Sequence, residues 1–242
     1  MLFKKDEDIV IEDVKSSSPV RAGQLQALLK TKNLKRVFHI NVFVVLRQFT
    51  GVFVVTMHAV DIFASTGGSL SPNHCAIILG LVQLVTALSS NLVTDVIGRK
   101  SLIIYSGIFM AVSHGVVGVY HFLHSTSSYR QMAQDYLSWM PIVCLVVFIG
   151  CFSVGFGPAL YIFMVELFPQ EVKDTVSSVV LVTSSLGAFA VVQFYYDMEE
   201  SLGEAGTFWV HGSSCLIAAV YCKCVLPETS GKTLEQIADD LK

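Results

Sequence analysis

Six long apolar runs divide this chain, at about 37–62, 75–97, 101–123, 139–165, 175–196 and 207–226, with short polar stretches between them. Each is near or above the roughly 20 residues that an α-helix needs to cross a hydrocarbon core about 30 Å thick. Buried helices of a soluble protein are seldom this long and this apolar six times in succession. The pattern predicts six transmembrane helices and an all-α membrane protein. The flanks are polar. Residues 1–34 read as a cytosolic helical segment in which Leu25, Leu28 and Leu29 form a short amphipathic patch leading into Lys30, Lys32, Lys35 and Arg36. A basic membrane-surface helix is the alternative there, although Asp6 to Asp13 makes its first half acidic. Residues 35–226 hold the six spans, and 227–242 read as a cytosolic tail.

Composition agrees with the pattern: 53% of residues are apolar and 14% charged, against roughly a quarter charged in a soluble domain. A net charge of −3 offers no attraction for nucleic acid. The first 20 residues lack the apolar core of a signal peptide, so the first span is expected to act as its own insertion signal. Of the 16 Lys and Arg residues, Arg47 lies within a run and Arg130 in the third interhelical loop. The rest fall in the N-terminal segment, at Arg99 and Lys100, at Lys173, and from Lys223 onward. The opposite loops, Asp61 to His74, Ser125 to Ser138 and Asp197 to Gly206, hold Arg130 alone. By the positive-inside rule both termini are expected to be cytosolic.

Little else in the composition carries chemistry. Cys144, Cys151 and Cys215 sit inside runs and Cys75 at a run's edge, as small apolar residues do in helices. Cys222 and Cys224 lie where the last span meets the cytosol, where palmitoylation is a second reading. The seven histidines form no metal-ligand constellation. His121 and His124, one turn apart near the outer end of span three with no Cys or acidic residue nearby, read as an interfacial pair. No nucleophile–base pair, phosphate loop or dinucleotide-binding glycine pattern stands in a plausible context, so neither an enzyme nor a bound metal or cofactor is expected.

The interrupted stretch Gly155 to Lys173, GFGPALYIFMVELFPQEVK, is where function concentrates. Gly155, Gly157 and Pro158 break an apolar run that ends on Glu166 and Pro169. In a bilayer, broken helices survive where neighbours re-satisfy the freed backbone, and they commonly line solute paths. Arg47 with Gln48, Thr50 and Gly51 makes a second polar, glycine-broken patch inside a span, expected to face a cavity; snorkelling to the interface is the alternative. Gln83 is the other mid-span amide, while Gly80, Gly107, Gly115, Gly118 and Gly150 suggest close helix packing. The hairpins around Asp95, Arg99 and Lys100 and around Glu166 and Lys173 present both signs of charge on one membrane face. Pairing there would lock that face until the pairs separate; charges that merely set topology are an equal alternative.

Three motifs in register carry a resemblance: DVIGRK at Asp95–Lys100, the broken stretch just described, and PETSGKTLEQI at Pro227–Ile237. With KTKNLKR at Lys30–Arg36, they resemble the C-terminal half of the sugar porter family of the major facilitator superfamily, in the style of insect facilitated trehalose and glucose transporter-like proteins. The likeness runs from about Lys30 to Leu241. It implies spans seven to twelve of a twelve-span carrier in which sugar binds between two halves that rock about it. It also implies a bilayer environment, a sugar as solute, an N-terminal six-helix half as partner, and a place in the plasma membrane. The charge network carries over to Asp95, Arg99, Lys100, Glu166 and Lys173.

At the sugar site the chain departs from the family. The pattern QQLSGIN reads here as Arg47, Gln48, Phe49, Thr50, Gly51, Val52 and Phe53. The span-eight asparagine corresponds to Gln83, the span-ten Pro-Trp to Leu160-Tyr161, and the span-eleven Asn-Trp to Ser184-Ser185. The resemblance therefore implies a solute pocket at Gln48, Gln83, Tyr161, Arg47 and Ser184. Each amide lost from a desolvated pocket costs about 1–3 kcal/mol, so glucose-type binding is expected to be poor unless Arg47 and Tyr161 compensate. Facilitative transport of hexose or trehalose is the first expectation, with no uptake by this chain alone. The alternatives are a non-transporting half-transporter acting as partner or sensor, and a proton symporter, which would need a mid-span carboxylate.

Overall fold

The computed structural model describes residues 31–66 and 70–226; the expectations for residues 1–30 and for the tail 227–242 lie outside the described residues. Among the described residues the chain is helical, with no strand. Six stretches are long and apolar enough to cross a membrane: Asn33–Met57, Pro72–Ser90, Arg99–Ser125, Met140–Met164, Val172–Gln193 and Tyr195–Val225.

Span one is three helices end to end: α1 (Thr31–Phe49), α2 (Val52–Met57) and α3 (Ala59–Thr66). Span two is α4 (Pro72–Ile97), whose N-terminus is capped by the Ser71 hydroxyl accepting from the His74 amide, with Pro72 in the first turn where no amide proton is needed. Gly98 alone joins it to α5 (Arg99–Ser125). The sequence suggests a two- or three-residue hairpin there. One residue suffices because glycine adopts φ 84°, ψ 148° without a Cβ to clash.

Two stretches expected as loops are instead helical. Ser125–Ser138 contains α6 (Arg130–Leu137). Asp197–Gly206 belongs to α10 (Tyr195–Val225), a 31-residue helix interrupted at Gly203, φ 72°. Its charged first turns, with Asp197, Glu199 and Glu200, hide the helix from an apolar-run criterion. Between them come α7 (Met140–Cys151), a π-helical turn over Phe152–Phe156, α8 (Gly157–Glu166) and α9 (Gln170–Gln193).

Packing is uneven. α5 and α10 lie close: a Cβ on Gly107 would come within 2.8 Å of Ala219, and Gly118 faces the Trp209 indole. Gly80 and Gly115, also expected at close contacts, have nothing within 4 Å of an added Cβ, and Gly150 meets only Thr86 and Val82 at ordinary distance. Phe43 of α1 stacks on Phe156 and meets Phe163 edge-on, binding span one to span four. Span windows one and three are 56% buried, whereas those of α4 and α9 are only 17% buried, so these two helices present an apolar side of the bundle. The six cysteines form no disulfide; Cys222 is buried, which makes it a poor palmitoylation site, while Cys224 is exposed.

Candidate functional site

The site is built where two spans lose their regular hydrogen bonding. Span one ends its first helix in tight turns, Thr50 N–H to Arg47 O and Gly51 N–H to Gln48 O, both 3.3 Å. Gly51 is left-handed at φ 82°, and α2 restarts beyond it. This frees the carbonyls of Phe49 and Thr50, whose regular donors would be the amides of the next turn. Two buried imidazoles take their place. His211 donates from Nδ1 to Phe49 O at 2.9 Å, and His114 donates from Nε2 to Thr50 O at 3.0 Å. A carbonyl only accepts, so these contacts define which ring nitrogen carries the proton. The His211 ring also fills the space that a side chain on residue 51 would need.

Span four breaks differently. Cys151 hands over to the π turn, in which Gly157 N–H reaches back to Phe152 O, and Pro158 supplies no amide to the ladder. The expected break at Gly155, Gly157 and Pro158 thus takes the form of a wide turn. Gly155 sits so tightly on Ser106 of α5 that any Cβ would overlap its hydroxyl.

Arg47 connects the two breaks. Its Nε donates to Phe156 O at 3.0 Å, and its guanidinium carbon lies 4.9 Å from the centroid of the Phe152 ring. It is buried within the bundle, with 7% relative exposure. The reason is that the widened π turn leaves an acceptor and an aromatic face within its reach. Gln48, fully buried, engages α9: its Nε2 donates to Ser184 Oγ, and its Oε1 has no partner among the described residues. Ser184 and Ser185 line a groove of about 430 Å³ between α2 and α9, together with Phe53, Met57, Phe189 and Gln193.

The structure therefore joins Arg47, Gln48 and Ser184 at one level of the bundle. Tyr161 is exposed, within electrostatic reach of Arg47, and Gln83 is half-buried on α4. Neither hydrogen-bonds to Gln48 among the described residues.

At the Gly98 end, Arg99 and Glu166 form an ion pair with side chains 24% and 22% exposed. Lys100, expected in the same charge network, instead donates to Leu226 O at 2.7 Å, the C-terminal carbonyl end of α10. Arg36, outside the expected network, donates to Leu167 O at 3.1 Å, one residue beyond Glu166. Lys173 is half-buried and makes no ion pair among the described residues; the side chain of Asp95 lies outside what is described. Exchanging Glu166 for Gln is expected to lower stability by about 1 kcal/mol. The loss should shrink in high salt, as thermal unfolding in detergent at two ionic strengths would read.

The far end corrects another expectation. His121 does have an acidic partner, Glu204 of α10, with Nδ1 to Oε2 at 2.6 Å. Nearby, the Tyr196 hydroxyl meets His58 and Asp61, and the His58 ring stacks on Tyr195. These residues are 83 and 138 positions apart, beyond any local motif. For His114 and His211 a signal was available: an imidazole in mid-span must find a polar partner, and a glycine-broken span offers free carbonyls.

A profile for the sugar (and other) transporter family matches residues 4–241. The facilitated trehalose transporter Tret1 of Drosophila pseudoobscura pseudoobscura is 33% identical over 215 residues, 89% of this chain and 24% of that protein. The Tret1-2 homolog of Drosophila simulans is 29% identical over 231 residues, 96% of this chain and 46% of the relative. The inward-open xylose transporter XylE from E. coli matches with a TM-score of 0.72 at 18% identity, over 96% of this chain and 48% of XylE. A double-Trp mutant of XylE matches with a TM-score of 0.74 at 20% identity, over 94% and 48%. The chain spans about half the length of these structures and less than half of these relatives. At such identities the structural likeness speaks for the fold alone.

Proposed function

This chain belongs to the sugar (and other) transporter family, with the fold of one six-helix half of a major facilitator superfamily transporter, and on that premise we propose that it supplies the C-terminal half of a facilitative sugar carrier. It is an integral, multi-pass membrane protein of a family of transporters, not of enzymes. Hexose or trehalose is the solute class, and alternating access the mechanism. The observation that carries this reading is the meeting of Gln48 with Ser184 beside Arg47, at the level where spans one and four are both interrupted. Interrupted helices at mid-membrane present unpaired polar groups to a solute without exposing them to lipid.

The other wall of the path is an N-terminal six-helix half. Its support is the half-length match together with the poorly buried helices α4 and α9, whose open side offers a surface for such a partner. The distribution of Lys and Arg supports cytosolic termini, and the sugar-carrier reading supports the plasma membrane. On that orientation Arg99 and Glu166 close the cytosolic face, and their separation accompanies opening toward the cytosol.

Saturable binding of radiolabelled glucose or trehalose to the chain purified in detergent tests the reading. Gln48→Ala is expected to weaken that binding about tenfold to a hundredfold, the effect of losing a buried polar partner. Binding that is absent, or indifferent to Gln48→Ala, would remove the assignment.

A further inference from the structure

Arg47 is a cation inside the bundle, and no carboxylate among the described residues pairs with it. Among the described residues the ion pairs are His58–Asp61, Arg99–Glu166 and His121–Glu204, and none includes Arg47. Its contacts are one hydrogen bond from Nε to Phe156 O and the face of Phe152. A guanidinium has five N–H donors; the two terminal nitrogens have no acceptor among the described residues. Buried charges in membrane helices are usually paired or aimed at a solute path. With Nε pinned and the ring beneath holding the plane, the terminal nitrogens form a fixed fork, which is the geometry that grips a carboxylate through two parallel hydrogen bonds.

The neighbouring residue supplies the other half of a recognition site. Gln48 Oε1 is buried with no partner, an acceptor waiting for a hydroxyl donor. Its amide nitrogen is engaged by Ser184, which fixes the direction in which Oε1 points. We propose that the solute of this site is an acidic sugar, a hexuronate whose carboxylate is bound by Arg47 and whose hydroxyls are bound by Gln48. The proposal rests on the sugar-carrier reading above and shifts its solute from the neutral hexose to the corresponding acid. A single guanidinium balances a single negative charge. A sugar phosphate, with close to two charges at neutral pH, would call for a second cation, and none among the described residues pairs with this site.

The test is equilibrium dialysis of the detergent-purified chain with radiolabelled D-glucuronate, D-glucose, the neutral isostere D-glucuronamide and D-glucose 6-phosphate. Glucuronate is expected to bind roughly tenfold to a hundredfold more tightly than glucose, the range for a hydrogen-bonded charged group, with glucuronamide resembling glucose. Arg47→Gln is expected to abolish that preference, glucuronate and glucose then binding alike. Arg47→Lys should retain part of it, having the charge without the fork. Monodisperse elution of both variants separates loss of recognition from loss of fold, and Arg47→Lys stands in should Arg47→Gln fail to fold. Equal binding of glucose and glucuronate, a preference that survives Arg47→Gln, or tighter binding of the phosphate would each overturn the proposal while leaving the sugar reading intact. Binding of none of the four would overturn the sugar reading itself, and the proposal with it.

Discussion

Replacing Gly51 with alanine is expected to destabilise the folded chain. Two costs combine. Residue 51 sits at φ 82°, where an L-residue with a Cβ loses roughly 1–2 kcal/mol. The added carbon would also lie 2.7 Å from the His211 ring, which cannot retreat without releasing the Phe49 carbonyl. Overpacking of that kind costs about 1–3 kcal/mol, so a total of roughly 2–5 kcal/mol is expected. Gly80→Ala is the control. Gly80 lies within α4 and a Cβ there meets nothing within 4 Å. Alanine in a helix is favoured over glycine by roughly 0.5–1 kcal/mol, so this variant should be neutral or slightly more stable. A thiol-reactive dye that reports exposure of the buried Cys75 and Cys215 on heating in detergent reads both. A Gly51→Ala melting point equal to that of the unaltered chain would contradict the assignment of the break.

That break is visible in the sequence because its cause is local. A glycine amid Arg47, Gln48 and Thr50 in an otherwise apolar run points to an interrupted helix by itself, and six runs of bilayer length need only counting. The same holds for Pro158, which cannot donate to a helix wherever it sits. What the sequence does not disclose depends on how helices rotate and pack against one another. Arg47 turns inward because the π turn at Phe152–Phe156 places a carbonyl and a ring beside it, and nothing in FSVGF announces a π register. Lys100 finds a helix C-terminus, not a carboxylate, because α10 ends next to the start of α5. The Glu204 partner of His121 is hidden for the same reason, and the charged opening turns of α10 look like loop because hydropathy cannot tell a polar helix from a polar turn. Pocket residues suffer most: Gln48 and Ser184 meet, while Gln83 and Tyr161, equally well motivated by alignment to a family pattern, stand apart from that contact.

His114 and His211 are expected to matter as hydrogen-bond donors rather than as titrating groups, and the choice of amide tells the two roles apart. His211→Leu strands the Phe49 carbonyl, and His114→Leu leaves the Thr50 carbonyl with only the weak Cys215 thiol donor at 3.9 Å, in a place that water does not reach. An unpaired buried acceptor costs about 1–3 kcal/mol, and the surrounding hydrocarbon offers no substitute partner. Each leucine variant should therefore be less stable by that amount in detergent, and saturable sugar binding should weaken, because Gln48 lies in the same turn as these carbonyls. The donors differ in reach. His211 uses Nδ1, at the position an asparagine amide nitrogen occupies, whereas His114 uses Nε2, at the reach of glutamine. Accordingly His211→Asn and His114→Gln should recover most of the loss, while the exchanged pair, His211→Gln and His114→Asn, should not. The double leucine variant should lose less than the sum of the two single ones, since both carbonyls belong to one turn and a break already relaxed has less left to lose. Equal behaviour of matched and mismatched amides would mean that ring packing against Phe148 and Phe208, and not donation to the backbone, is what these imidazoles contribute.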